Sequence, residues 1–315
     1  MFSYILRRLL FDVVPAIAVV AVVAFALIHL TPGDPAIVML GEEARPEQVE
    51  ALKAQLGLND PIPVQFGHWL SRVAHGDLGQ SIFLHQSVFE GITNSLPVTL
   101  ELTMFALTIA IVLGVSAGIA AALSRGRVLD KAVMLIAMLG ISMPGFYLAL
   151  LMTFFVGVKL GWLPIAVSVS FSEDPLGNLR DMTMPALVLG FIEAAFISRV
   201  TRSSMLDIRS VDFVRTARAK GAPETRVVLV HMLRNALVPI VSTIAILASL
   251  LMGGAIIVET IFGVPGMGKL VMSAVMSRDY PVLQGVVLVV AGIYIFINLT
   301  ADVLCALVDH RIRFN

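Results

Sequence analysis

Charge is scarce in this chain: 14% of its 315 residues are Asp, Glu, Lys or Arg, where a soluble domain carries about 25%. A chain so poor in charge cannot clothe a water-facing surface, which excludes an ordinary soluble domain. Its 22 cations and 22 anions cancel, which removes bulk steering toward nucleic acid. The single cysteine, Cys305, excludes an intramolecular disulfide framework and a multi-cysteine metal site. It lies in the last apolar block and reads as a small packed side chain. His29, His68, His75, His85, His231 and His310 are scattered, with no H-E-x-x-H spacing, and no G-x-S-x-G occurs. Neither a zinc-protease nor a serine-hydrolase constellation is therefore present, and no nucleophile–base pair supports a membrane-embedded enzyme.

What is abundant is apolar sequence. Hydrophobic residues make up 58% of the chain and fall in long blocks, the signature of membrane-spanning helices. Arg7-Arg8 precede an apolar run from about Leu9 to Leu30, too long for a secretory leader and followed by Thr31-Pro-Gly-Asp-Pro35 rather than a cleavage site. This reads as a retained first span. Further spans are expected at about Leu100–Leu123, Val133–Val158, Pro185–Ile197, Ala236–Val258 and Gly285–Val308, making an all-α polytopic protein with six transmembrane helices. Pro185–Ile197 is the weakest, interrupted by Glu193 and closed by Arg199 and Arg202. The expected division is residues 1–30, a tail and first span; 31–97, an extracytoplasmic segment; and 98–315, a core with loops at 206–235 and 259–282.

Orientation follows from the cations. Arg7, Arg8, Arg125, Arg127, Lys131, Arg199, Arg202, Arg209, Arg215, Arg218, Lys220, Arg226, Arg234, Arg311 and Arg313 fall on one side, fifteen of the 22. Arg45, Lys53, Arg72, Lys159, Arg180, Lys269 and Arg278 fall on the other, over longer loops. The first side is read as cytoplasmic, with both termini inside. In the outer segment, Glu47–Leu56 has helical spacing between Pro46 and Gly57, and Gln65–Val73 places Phe66, Trp69, Leu70 and Val73 on one face.

Within the spans, Gly114-Val-Ser-Ala-Gly118 allows close helix approach. Ser142-Met143-Pro144-Gly145 predicts a kink or break. Breaks line transport paths, but Pro and Gly are also ordinary in membrane helices, so both readings stand. Ser142, Met143, Pro144 and Glu193 are the candidate path residues. Glu193 either faces a water-filled cavity or pairs with Arg199 or another inner-side cation. Glu101 and Asp302 are ionisable groups in or near spans; Glu101 is expected to reach water.

Gly263-Val-Pro-Gly-Met-Gly-Lys-Leu270 matches a phosphate-binding loop as far as its Lys, but Leu270 stands where Ser or Thr must hold Mg²⁺. No βαβ pattern surrounds it, so it reads as a Gly/Pro turn opening a short helix.

The polar island Asp212-Phe-Val-Arg-Thr-Ala-Arg-Ala-Lys-Gly221 remains. Asp212 is suited to cap a helix, Lys220 to complement its negative end, Gly221 to end it left-handed and Pro223 to begin another. The second helix, about Glu224–Arg234, is expected to carry Val227, Val230 and Leu233 along one side.

This island resembles the cytoplasmic signature loop of ATP-binding-cassette importer permeases, E-A-A-x-x-x-G. Ala217 and Gly221 match that pattern, while Arg215 and Thr216 replace the Glu and first Ala. The variant Arg215-Thr-Ala-Arg-Ala-Lys-Gly221 resembles the dipeptide/oligopeptide/nickel permeases. So do Leu233–Pro239, Glu259–Leu270, Arg278–Pro281, the Arg7-Arg8 start, Pro32–Pro35, Leu56–Leu58 and Gly76–Gly79. The last four resemble the B-type subunit.

The resemblance implies a type I importer permease fold in a bacterial inner membrane. The implied partners are a second permease, two cytoplasmic ATPases that bind ATP and Mg²⁺, and an extracytoplasmic solute-binding protein. The permease itself would hold no cofactor or metal and hydrolyse nothing. Asp212, Phe213, Val214, Arg215, Thr216, Ala217, Arg218, Lys220 and Gly221 would form the ATPase-coupling element. Phe213 and Val214 would make apolar contacts; Arg215, Arg218 and Lys220 would make polar ones. The implied substrates are di- or oligopeptides, with nickel chelates or glutathione as alternatives. The competing class is an ion-gradient-driven secondary transporter, which calls for duplicated halves with mid-membrane acids or broken helices; no duplication is visible.

Overall fold

Proline in the first turn and left-handed glycine after the last set the limits of several helices in the computed structural model, which describes residues 11, 13–30, 34–41, 44–81, 83–167 and 169–308. Pro35, Pro46 and Pro175 each open a helix, where the missing N–H is not needed. Gly57 and Gly263 close one each at φ +68° and +66°. Among the described residues every named element is helical, and the one β-type contact is the isolated bridge Gln80–Ser87. Contacts divide the chain into two units, residues 1–98 with 265–295 and residues 99–264 with 296–315.

The first unit holds helices Val14–His29, Pro35–Leu40, Pro46–Leu56 and Ile62–Ala74, with Met267–Ser277 and the start of Tyr280–Val308. Ile28, Ala36, Val49, Leu52 and Tyr280 form one buried cluster. Phe25 and Trp69 anchor another with Phe66 and Val73, the Phe25 ring lying 5.2 Å from Phe66 and 5.8 Å from Trp69. Leu70, expected on this inward face, is exposed. Gln65 ties the preceding loop, its amide donating to the carbonyls of Leu58 and Asp60 at 3.1 and 2.7 Å. The buried Asp279 accepts from the Ser81 hydroxyl at 2.6 Å. Lys53 pairs with Asp34 at 2.5 Å, and Asp34 also caps the next helix through the Ala36 N–H.

In the second unit the 35-residue helix Pro175–Arg209 is central. The segment expected as the weakest span, Pro185–Ile197, is the middle of this helix, and its core-facing residues are among the most buried in the chain. Low hydropathy there reflects burial against protein rather than lipid. Small residues allow that burial. A Cβ at Gly190 would lie 2.8 Å from the Ala106 carbonyl oxygen; at Gly114, 2.7 Å from Ile197 Cβ; at Gly118, 2.5 Å from Thr201 Cβ. The Gly114/Gly118 pair therefore seats Val88–Leu123 directly on Pro175–Arg209. Asp130 locks Val128–Ser142 to the same helix. Its carboxylate takes the Arg202 guanidinium through both oxygens at 2.5 and 2.9 Å and the Gly126 N–H at 2.8 Å.

Among the described residues four helices are long and apolar enough to cross a membrane: Val88–Leu123, Pro175–Arg209, Glu224–Gly253 and Tyr280–Val303. The expected third span is not one rod. Val128–Ser142 and Gly145–Lys159 meet at 103° around Met143-Pro144. A second interrupted pair, Ile256–Phe262 and Met267–Ser277, breaks at Gly263. That break includes the Gly/Pro turn expected there. The described part of the first span, Val14–His29, has 16 residues, short of the roughly 20 that cross a bilayer unaided. Arg7, Arg8, Pro32, Gly33, His310, Arg311 and Arg313 lie outside the described residues.

Two outcomes follow. Gly118→Ala should destabilise the protein by about 1–3 kcal/mol through overpacking; Gly292→Ala, with nothing within 4 Å, should not. Thermal melts of the detergent-purified protein compare them, and equal melting temperatures would contradict the contact. The Lys53 ammonium holds the Asp34 carboxyl below its ordinary range, so the pair stabilises the fold at neutral pH and is lost as pH falls below about 4. Protection from hydrogen exchange over residues 35–56, taken relative to the free-peptide rate at each pH, should fall there in the wild type and be already low in Asp34→Asn at pH 7.

Candidate functional site

The polar island forms the helix Asp212–Ala219. Its N-cap is Val211, in extended conformation with no side-chain acceptor, so Asp212 is the first helical residue rather than the cap. Asp212 acts through charge at the helix's positive end, 3.6 Å from Arg215, while its carbonyl receives the Thr216 hydroxyl at 2.9 Å. At the other end Gly221 turns left-handed at φ +76°. Its N–H reaches the Arg218 carbonyl and the Ala222 N–H reaches that of Ala217, at 2.9 and 3.2 Å, which together are a Schellman closure. A Cβ on Gly221 would meet nothing within 4 Å. The glycine is there for its backbone angle, not for space.

Across this corner Arg218 grips Glu224 with two hydrogen bonds, Nε to Oε2 at 3.1 Å and Nη2 to Oε1 at 2.6 Å. The chain then passes through Glu224–Arg226 into a π-helical stretch, Val227–Leu233, and on into Arg234–Gly254. The wider π turn changes which residues face inward. Val227, Val228 and Met232 are buried, whereas Val230, expected beside Val227, is exposed, and Leu233 packs at the margin.

These inward residues receive the short helix. Val214 and Ala217, three apart on one face, are buried with Met205, Val227, Val228 and Met232. Fully burying a valine is worth roughly 1.5–3 kcal/mol, enough to dock so short a helix. Val214, expected as an outward contact, thus holds the helix to its own chain. Phe213 is 42% exposed, and Arg215, Thr216 and Lys220 are exposed beside it. Arg218 is half-buried by its pairing with Glu224, the residue that sequence reasoning missed. A basic residue before a corner with an acid after it is the signal that would have found it.

The candidate path residues gather around Pro175–Arg209. Gly140 and Gly145 flank the break at Ser142–Pro144. A Cβ on Gly140 would lie 3.2 Å from both Phe191 and Ala195, and one on Gly145 3.4 Å from Ile192. The break therefore sits against the stretch that contains Glu193. Among the described residues no ion pair joins Glu193 to Arg199 or another cation, and its buried Oε2 has no hydrogen-bond partner. Elsewhere in the same unit Glu259, fully buried, accepts from Thr99 at 2.7 Å. Its apolar surroundings in sequence were the available signal.

Comparison with known proteins fits this arrangement. The family described as binding-protein-dependent transport system inner membrane component matches residues 110–314, and its N-terminal component matches residues 1–103. A putative peptide transport system permease protein of Brucella abortus (strain 2308) is 41% identical over 315 residues, covering 100% of both chains. The dipeptide transport system permease protein DppB of Alkalihalophilus pseudofirmus is 39% identical, again over 100% of both. The glutathione transport system permease protein GsiC of Salmonella choleraesuis is 41% identical over 314 residues and 100% of both. A chain of the MetNI methionine ABC transporter in an inward-facing conformation shares the fold, with TM-score 0.58 and 19% identity, covering 69% of this chain and 96% of that one.

Gly221→Val should cost about 1–3 kcal/mol by forcing a β-branched residue into the left-handed region, and Gly221→Asn should cost less. Hydrogen exchange should rise for residues 217–222 while the middle of Pro175–Arg209 keeps its protection. Unchanged protection in Gly221→Val would contradict the corner.

Proposed function

Because the chain belongs to the family of binding-protein-dependent transport system inner membrane components, we propose that it is the peptide-conducting permease subunit of an ATP-driven importer, working beside a second permease. Two cytoplasmic ATPases bind and hydrolyse ATP with Mg²⁺, and an extracytoplasmic solute-binding protein delivers the substrate. Peptides are the proposed cargo because relatives of full-length similarity carry that name; glutathione, itself a short peptide, is the nearest alternative. An ion-gradient-driven transporter is not favoured. The proposed topology is six spans with both termini and the Asp212–Gly221 loop in the cytoplasm of a bacterium, following the fifteen-to-seven division of its 22 cations.

One observation carries the coupling role. The helix Asp212–Ala219 is docked by Val214 and Ala217 yet leaves Phe213, Arg215, Thr216 and Lys220 outward. A solvated loop has no need of an exposed aromatic ring on a helix so firmly held. An ATPase groove that takes Phe213, with polar contacts to Arg215 and Lys220, accounts for it. The Arg218–Glu224 pair and the Schellman corner then make the helix and Glu224–Arg226 one lever, which acts on Arg234–Gly254 through the π-helical stretch Val227–Leu233. Closure of the ATPases shifts this lever between two arrangements, and the shift is bounded by the difference in contact energy between them. Peptide would pass beside the Ser142–Pro144 break, with Met143 at the bend and Glu193 close by.

Proteoliposomes holding both permeases and both ATPases test this reading. With solute-binding protein and peptide supplied, Phe213→Ala should lower uptake per ATP hydrolysed by about tenfold, equivalent to about 1.4 kcal/mol of coupling. Gly221→Val should do the same while the chain still inserts. Wild-type uptake in either variant would sink the coupling assignment.

A further inference from the structure

Between the helices of the first unit lies a cavity of about 520 Å³, within the roughly 300–1,000 Å³ usual for ligand pockets. Four elements supply its walls. Gln55 comes from Pro46–Leu56, Trp69 and Arg72 from Ile62–Ala74, Gln80 and Ser81 from the turn closed by the Gln80–Ser87 bridge, and Gln284 from Tyr280–Val308.

The polar lining is in excess of what the fold uses. Gln284 is only 7% exposed, yet its amide makes no hydrogen bond among the described residues. Neither atom of that amide is sealed from solvent, so the amide opens on the cavity and is available to an occupant. Gln55 and Gln80 at the exposed margin likewise have amides that pair with no described residue, and the exposed Arg72 guanidinium makes no ion pair among the described residues. The neighbouring acid, Asp77, is engaged with the Gly79 N–H at 2.9 Å. Ser81 is committed to Asp279. The cavity thus offers three free amides, one free guanidinium and the Trp69 side chain. An amide both donates and accepts, which is what a peptide main chain requires, and a guanidinium fork matches a terminal carboxylate. A metal is not the occupant that these groups select, since they provide no cluster of anionic or imidazole ligands.

We propose that this cavity binds a short peptide by its main chain, with Gln55, Gln80 and Gln284 on the peptide groups and Arg72 on the C-terminal carboxylate. The site rests on the peptide-transport reading for its biological sense, but not for its chemistry. It would receive substrate on the extracytoplasmic side before the membrane path.

The assembled complex in lipid nanodiscs, without solute-binding protein or ATP, tests it, with trialanine as probe. In a Cys305→Ser background, Gln55→Cys supplies the one thiol of this chain, and its labelling by a maleimide is read on the separated permease subunit. Trialanine should slow its labelling, and trialaninamide should need about tenfold higher concentration for the same protection. Gln284→Met, close in shape, and Arg72→Gln should each raise the protecting concentration at least about fivefold, with Arg72→Lys falling between wild type and Arg72→Gln. Two results overturn the proposal: no protection by trialanine, or protection indifferent to Gln284→Met and Arg72→Gln. If the proteoliposomes described above take up trialanine while the nanodisc complex shows no protection, the transport reading stands and the site is lost. Protection without peptide uptake by the proteoliposomes does the reverse.

Discussion

The second unit depends on how closely two helix backbones approach. Inside a bilayer the hydrophobic effect gives helices little reason to associate, because lipid tails are as apolar as leucine. Attraction has to come from dispersion at short range and from the few polar groups that find partners. Gly190, Gly114 and Gly118 remove side chains along one seam, so that Val88–Leu123 and Pro175–Arg209 meet backbone to side chain. The bidentate Asp130–Arg202 pair then adds a directional tie from a third helix. Everything else in the unit is placed by reference to Pro175–Arg209: the break at Ser142–Pro144, the unpartnered oxygen of Glu193 and the Met205 floor beneath the short polar helix.

Much of this was legible in the residues. The long apolar blocks, the glycine pair at Gly114 and Gly118, the break at Ser142–Gly145 and the left-handed Gly221 each follow from a local rule with one strong outcome. Pro185–Ile197, the weakest expected span, lies in the least hydropathic of the four apolar helices, because hydropathy measures preference for lipid and this segment is packed against protein. The differences between sequence and structure lie elsewhere. A 3.6-residue period puts Val230 inward, but the π-helical stretch has another period and leaves it exposed. Asp212 was given a cap's role because its residue type favours one; the backbone turned one residue earlier, at Val211. Val214 was assigned outward because nothing local distinguishes it from Phe213. Only the position of Met205 and Met232, distant in sequence, decides between them.

The candidate site follows the same division. A helix ending in glycine could be read directly, as could its basic character. The Arg218–Glu224 grip could not, since it spans a corner whose angle is set by two backbone hydrogen bonds. The pocket in the first unit was equally hidden. Its glutamines come from separate stretches, each an ordinary polar residue, and only folding shows that their amides are left over.

The π-helical stretch Val227–Leu233 stands between the short polar helix and the α-helical remainder of the apolar helix Glu224–Gly253. A π turn holds one residue more than the α turn it replaces. That residue can be taken up or given back without severing the helix, at a step of about 1.5 Å of rise and about 100° of rotation. The chain therefore keeps slack at this junction. Force arriving from the short polar helix would be converted there into a discrete step of register instead of a gradual bend.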